Sequence, residues 1–310
     1  MKIKKYSFLI GPLIFIYILY KIDLSKLIEL LSSVKITFIL LAIAVLPLFF
    51  LIITLKWKKI INSCNISFSF KNTLFSFLKG TALGIITPAK LGELYRFKYL
   101  QHISKSSFGV SLATVVIDRL IDLVALLILG LLSVLVLVHI YAVKISVLMI
   151  ALFFCFFIVC LIILTKKKLM KKILKPFFKM FVPEDHKERI VLHFHEFYKG
   201  LKSIGISTYL ICIPYTLMIW TLNILVAYLL SEALVLEIPF WFMALVIPLV
   251  NIVSLIPISV SGLGTSQAAF IFTLSLIGIS PESSVALSIL VISLSLIRAV
   301  PGTILYILRK

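Results

Sequence analysis

Negative charge is scarce in this chain, and charge of either sign is sparse. Of 310 residues, 12 are Asp or Glu and 31 are Lys or Arg, so charged residues make up 14% against 62% apolar. A water-soluble domain of that length would need far more polar surface, so composition excludes the soluble class and points to a lipid-embedded one. Cysteine is also rare. Cys64, Cys155, Cys160 and Cys212 form no CxxC pair and have no His at ligand spacing, and three of them lie inside apolar runs. They read as small buried apolar residues, which leaves neither a disulfide framework nor a metal site to expect. No nucleotide- or metal-binding signature occurs, so no cofactor is expected.

The formal charge of +19 raises nucleic acid as a partner, but the hydropathy argues against it. The basic excess sits in short segments beside apolar runs, where it sets orientation and meets anionic lipid headgroups. The partners expected are membrane lipids, not nucleic acid.

A transmembrane helix needs about 20 mostly apolar residues. Eight stretches qualify or nearly do: Tyr6–Tyr20, Ile36–Leu55, Ile121–Val138, Ile145–Thr165, Thr208–Leu230, Pro239–Pro257, the short Gln267–Ile279, and Ser284–Leu308. The first follows MKIKK as a signal peptide would. No small-residue cleavage site precedes KIDLSKLIELL, so an uncleaved span is expected. Leu24–Val34 has Leu24, Leu27, Ile28 and Leu31 at helical spacing and reads as an interfacial amphipathic helix.

Asn72–Pro88 is apolar yet holds Lys79, Gly80, Gly84 and Pro88. Lys56, Lys58, Lys59 and Lys71 precede it; Lys90, Arg96, Lys98 and Lys105 follow. Only a segment that enters and leaves on one side keeps both clusters cytoplasmic, so a re-entrant or broken helix is expected. The basic stretch Lys166–Gly205 then falls inside, Ser231–Ile238 with Glu232 and Glu237 outside, and both termini in the cytoplasm. The expected fold is an all-α polytopic transmembrane bundle of about eight spans plus that broken helix, forming one embedded domain over residues 1–310. The Lys166–Gly205 loop is too small for a catalytic domain with its own core. Its His193 and His195, two apart, point to different faces of an amphipathic helix.

Ionisable residues within or beside apolar runs are functional candidates. In TPAKLGELYRFKYL, Lys90, Gly92, Glu93 and Arg96 follow the break at Thr87–Pro88. They would form a net-positive site for a phosphate or other anionic headgroup at a helix start; the alternative is mutual neutralisation of Glu93 and Arg96. In VVIDRLIDLVALL, Asp118 and Asp122 share a helix face beside Arg119, just before an apolar span. They should turn inward to a cation, with Arg96, Lys79 or Arg298 available; the alternative is a snorkelling interfacial cluster. In IPISVSGLGTSQAAF, Pro257, Gly262 and Gly264 break the chain ahead of Ser266 and Gln267, a contact geometry for an anion or substrate or else a simple turn. Arg298, beside Pro301 and Gly302, is the deepest cation and calls for a carboxylate or substrate partner. A faint echo links Pro88 to Glu93 in the first half with Pro257 to Gln267 in the second.

At these three groups the chain resembles the lysylphosphatidylglycerol synthase transmembrane, or flippase-like, domain family. That family includes uncharacterised archaeal and bacterial proteins of the UPF0104 type and the membrane part of an archaeal dolichol-linked glycosyltransferase. The resemblance lies in Pro88, Gly92, Glu93 and Arg96; in Asp118, Arg119 and Asp122; and in Gly262 and Gly264 after Pro257. It covers about residues 5 to 308. Where the family often carries Arg-Glu after the late GLG element, this chain has Ser266 and Gln267, so any role needing that acid is in doubt. The resemblance implies handling or flipping of lipids with polar or anionic headgroups, with a lipid synthase or glycosyltransferase as a possible partner. Aminoacyl transfer in synthase members belongs to an appended soluble domain that these residues do not contain, so an enzyme is the less expected outcome. Three other readings stay open: an enzyme or subunit acting on a lipid-linked substrate, a small-anion transporter coupled through Asp118 and Asp122, and a scaffold for another membrane enzyme.

Overall fold

The structure, a computed structural model, describes residues 10–85, 87, 91–141, 154–159, 162–163, 165–172, 184–255 and 262–308. The described elements are all helical. They begin with α1 (Ile10–Lys21), α2 (Leu24–Ser32), α3 (Ile36–Ala44), α4 (Leu46–Ser63) and α5 (Phe70–Ile85). A 3-10 turn (Leu91–Tyr95) leads into α6 (Arg96–Ser104) and α7 (Phe108–Tyr141). The rest are α8 (Glu184–Ser203), α9 (Ile206–Ala233), α10 (Phe240–Ser254), α11 (Thr265–Ser275) and α12 (Pro281–Ile307).

Four of these rods are long and apolar enough to cross a bilayer alone: α3 and α4 together (Ile36–Ser63), α7, α9 and α12. They account for four expected spans and make the protein a polytopic helical membrane bundle. Most of the expected span Ile145–Thr165 lies outside the described residues, and Tyr6–Tyr20 is described from Ile10. The remaining expected pair differs from simple spans. Helices α10 and α11 have 15 and 11 residues, about 22 and 16 Å at 1.5 Å per residue, against a hydrocarbon core of about 30 Å. The turn Gly262–Gly264, with φ of +79° and +86° at its glycines, cuts the apolar run before α11 can lengthen.

The segment after α4 is a helical hairpin. Helix α5 stops at Ile85, and the chain returns as the 3-10 turn and α6, both packed against α5. Helix packing in lipid lacks a hydrophobic drive, so backbones must approach closely at small residues. Gly92 lies against the Leu83 carbonyl and the Gly84 amide, and Gly80 against the Glu93 carbonyl. Gly302 of α12 then seats on Leu78 and Ala82 of α5, while Gly130 of α7 seats on Ile252 of α10.

Helix α7 begins well before its expected start at Ile121. Ser111, Ala113, Thr114, Val115 and Ile117 are all buried, so its first turns pack against α6 and α8. Asp118 and Asp122 therefore sit inside a continuous helix. Helix α8 is no free loop helix either: Gly109 fits against the His193 carbonyl, and Gly200 packs so closely on α7 that a methyl group in its place would lie 2.8 Å from Ala113 Cβ. Asp23 caps α2 by accepting from the amides of Ser25 and Lys26 at 2.9 and 3.2 Å, with Leu27 as its buried apolar anchor.

Candidate functional site

The hairpin brings the first two charged groups together. Lys56 on α4 and Arg96 at the start of α6 both reach Asp118 on α7, and all three side chains are fully buried. Lys56 Nζ lies 3.0 Å from Asp118 Oδ1 as an ion pair and donates to Asp122 Oδ1; Arg96 Nη2 donates to Asp118 Oδ2. The Arg96 guanidinium is stacked 4.4 Å from the Trp57 ring centre and 5.5 Å from that of Phe77, which shields its remaining N–H groups with aromatic faces. Trp57, itself buried, donates from Nε1 to Thr114 at 3.3 Å. Two helices and a hairpin are thus fastened through one carboxylate.

Around this sealed centre runs a partly open rim. Arg119 Nη1 lies 2.7 Å from Glu93 Oε2, and its Nη2 lies 3.2 Å from Asp118 and 3.6 Å from Asp122. Arg119 is 31% exposed, Asp122 22% and Glu93 12%, against 0% for the three central side chains. Arg119 Nε is buried without a hydrogen-bond partner. Glu93 therefore pairs with Arg119, not with Arg96 as helical spacing suggested. Arg96 is turned inward onto Asp118 between the Trp57 and Phe77 rings, which leaves Glu93 to Arg119 on the rim.

The described cluster holds Lys56, Arg96 and Arg119 against Glu93, Asp118 and Asp122, so it is balanced rather than net basic. Lys90 lies outside the described residues. Lys79, on α5, faces the rings of Tyr99 and Tyr306 at 4.6 and 5.3 Å.

The other predicted groups lie elsewhere. Arg298 donates to Asn223 Oδ1 at 2.9 Å and lies 4.5 Å from the Phe49 ring centre. Its polar partner is a neutral amide on α9, where the sequence called for a carboxylate or substrate. Gly262, Gly264 and Gln267 form the start of α11. Gln267 Oε1 accepts from the Gly264 amide at 2.6 Å, and Ser266 Oγ donates to the Gly262 carbonyl at 2.7 Å. Gly264 packs against the backbone of Gly11 on α1.

Sequence reasoning missed Lys56, Trp57 and Asn223. In sequence, Lys56 reads with Lys58 and Lys59 as an orientation signal. The signal that separates it is helical register: Ile52, Ile53, Lys56, Trp57 and Ile60 lie on one buried stripe of α4.

Beside the charged centre runs an apolar groove of about 540 Å³. Ile117, Ile121, Ala125 and Ile128 of α7 form one wall and Tyr209, Ile213 and Leu217 of α9 the other. Ile117 and Ile121 each directly precede an acid of the cluster, so the groove flanks the stripe that carries Asp118 and Asp122.

The family model described as lysylphosphatidylglycerol synthase TM region matches residues 6–302. The chain belongs to that family. Among its relatives is UPF0104 membrane protein MJ1595 of Methanocaldococcus jannaschii, 31% identical over 37% of this chain and 34% of that protein. UPF0104 membrane protein MJ1078 of the same organism is 27% identical over 66% of this chain and 84% of its own length. UPF0104 membrane protein PH1989 of Pyrococcus horikoshii is 28% identical over 45% and 43%. The match thus spans under half the length of two of these relatives. No solved structure matches the chain. Family membership makes this an integral membrane protein, in agreement with its apolar rods.

Proposed function

We propose that this protein carries a lipid with a polar or anionic headgroup across the cell membrane. One observation carries the reading: the partly open charged rim and the apolar groove adjoin on the same stretch of α7. Arg119 offers a partly exposed guanidinium whose partner on the rim, Glu93, a phosphate could displace. The groove, of a size usual for a small-molecule site, would take a hydrocarbon chain that has left the bilayer. A site of this amphipathic shape suits a phospholipid or polyprenyl-linked intermediate better than a small aqueous anion. By the distribution of Lys and Arg, both termini and the 166–205 segment face the cytoplasm. A lipid synthase or glycosyltransferase is the class of enzyme that would make or use such a cargo.

The test is reconstitution in liposomes with a fluorescent anionic phospholipid, reading how much of it becomes accessible to an impermeant quencher. Wild-type protein should raise the rate of crossing. Arg119→Gln and Ala125→Phe, which alter the rim and fill the groove, should each reduce it while leaving the protein folded. A new covalent product, or uptake of an aqueous anion with lipid left in place, would overturn the reading.

A further inference from the structure

The faint echo between the two halves becomes a repeat once the backbone is compared. Adding 170 to the bounds of the first rod and to the start of the hairpin that follows it reproduces those of the second half. The rod Ile36–Ser63 becomes Ile206–Ala233, each of 28 residues, and the start of α5 at Phe70 becomes that of α10 at Phe240. The link between rod and hairpin is the same turn. Cys64 and Asn65 donate to the carbonyls of Ile61 and Asn62, and Leu234 and Val235 to those of Ser231 and Glu232. Asn65 and Val235 share the left-handed conformation, with φ of +56° and +55°. That conformation is rare for any residue with a side chain and costly for a β-branched one, so its recurrence at matching places is a geometric signature. Gly92 and Gly262, in the two hairpin turns, also differ by 170.

Contacts repeat with the halves exchanged. Helix α5 of the first half packs on α12 of the second, and α10 of the second on α7 of the first. Gly302 meets Ala82, while Gly130, two residues from the strict counterpart of Gly302, meets Ile252, the counterpart of Ala82. Amphipathic α2 lies on α12 and α8 lies on α7. The two rods run antiparallel along each other. The Lys35 amide, at the start of one, donates to the Ala233 carbonyl at the end of the other at 2.9 Å. At the opposite end, Ser203 Oγ donates to Cys64 Sγ at 3.4 Å. Antiparallel equivalent rods place the repeat axis in the plane of the bilayer, the arrangement of inverted-repeat transporters.

We propose that the chain is an inverted duplication in which α10–α11 is a re-entrant hairpin of the outer face, the counterpart of α5–α6 at the inner face, and that the two hairpins are alternate gates. Charge follows the assignment. Nine Lys and Arg lie between Lys56 and Lys105, and none between Ser231 and Ile297, so the first hairpin belongs inside and the second outside. The gates are fastened unequally. The inner hairpin is tied to α4 and α7 through Arg96 and Glu93, whereas positions 266 and 288, matching Arg96 and Asp118, are buried serines. This deepens the lipid-carrier reading by naming its gates, and rests on that reading only for what passes between them.

The test uses full-length protein with its four cysteines replaced. Single cysteines are placed at the hairpin ends (Lys71→Cys, Lys105→Cys, Glu237→Cys, Ser275→Cys) and near the second turn (Ser254→Cys, Leu263→Cys). In sealed right-side-out vesicles an impermeant maleimide should label Glu237→Cys and Ser275→Cys. It should reach Lys71→Cys and Lys105→Cys only after permeabilisation, which should add no label at Ser254→Cys or Leu263→Cys. If these two label together with Lys71→Cys after permeabilisation, α10 and α11 are ordinary spans and the proposal fails. One double variant, Gly130→Cys with Ile252→Cys, then tests the exchange, because the only atoms that a Cβ at Gly130 would crowd belong to the Ile252 side chain that is replaced. It should form a disulfide on oxidation, halt lipid crossing, and recover on reduction. Unaltered crossing with the disulfide formed would overturn the gating. A wild type that moves no lipid would instead sink the carrier reading, leaving the labelling pattern to decide the duplication by itself.

Discussion

Replacing Asp118 by Asn removes the carboxylate on which three cations converge, and its cost can be bounded from the geometry. A unit-charge pair 3.0 Å apart, as for Lys56 and Asp118, attracts by about 5.5 kcal/mol at an effective dielectric constant of about 20. The loss is not threefold, because two cations keep a partner: Lys56 retains Asp122 and Arg119 retains Glu93. Arg96 alone is left without a carboxylate, fully buried between aromatic rings. The expected cost is therefore that of one orphaned buried charge, about 3–5 kcal/mol. That corresponds to a shift of the unfolding equilibrium by roughly a hundred- to several-thousand-fold. Reversible unfolding in mixed micelles, followed by tryptophan fluorescence, measures it. Adding Arg96→Met to Asp118→Asn removes the orphan and should restore most of the loss, because apolar replacements of a buried pair are often close to neutral. A single variant that loses under about 1 kcal/mol, the range of exposed ion pairs, would refute the reasoning. So would a double variant in which the two costs simply add.

Two further substitutions separate packing from function. Gly92→Ala sets a methyl group against the backbone of Leu83 and Gly84, which cannot rotate aside, so the hairpin should fail to close and folded yield in detergent should fall; Gly205→Ala, whose nearest neighbour is the flexible Ser207 hydroxyl at 3.7 Å, should leave yield unchanged. Arg298→Met removes an embedded cation whose polar partner is neutral Asn223. Its thermal stability should match or exceed wild type while lipid crossing declines, and a large stability loss would show that Arg298 serves structure instead.

The helical membrane class and the break after α5 were legible because both depend on local composition: long apolar runs, then Gly and Pro with basic residues on each side. The acid pair on α7 was legible through the same local logic, since Asp118 and Asp122 are one turn apart. What the sequence hid was long-range. Lys56 reads as one of three basic residues at a membrane edge, and only the approach of α7 turns it into a buried partner of Asp118. Glu93 and Arg96 look like a helical pair until the approach of α7 offers each a different partner, Arg119 to Glu93 and Asp118 to Arg96. The short α10 and α11 look like spans because hydropathy reports what a segment can face, not whether it turns back. Of the proposed repeat the sequence carries only a faint echo, for a related reason: the shared feature is a backbone conformation, adopted by Asn65 and Val235, two residues with no chemical likeness.

The balance of the charged cluster constrains how a headgroup could enter it. Three cations already meet three carboxylates, so an added phosphate creates a buried charge excess unless a carboxylate leaves. The centre is a poor place for that exchange: Asp118 is sealed and holds the hairpin to α4 and α7. Glu93 is the better candidate, because it lies on the open rim and its carboxylate is 2.7 Å from Arg119. It also belongs to the 3-10 turn, whose packing on α5 depends on the close approach of Gly92. A phosphate that takes Arg119 from Glu93 would therefore loosen one of the two ionic ties of the inner hairpin, while Arg96 and Asp118 keep the other. Headgroup capture and hairpin release would then be a single exchange of partners at one guanidinium.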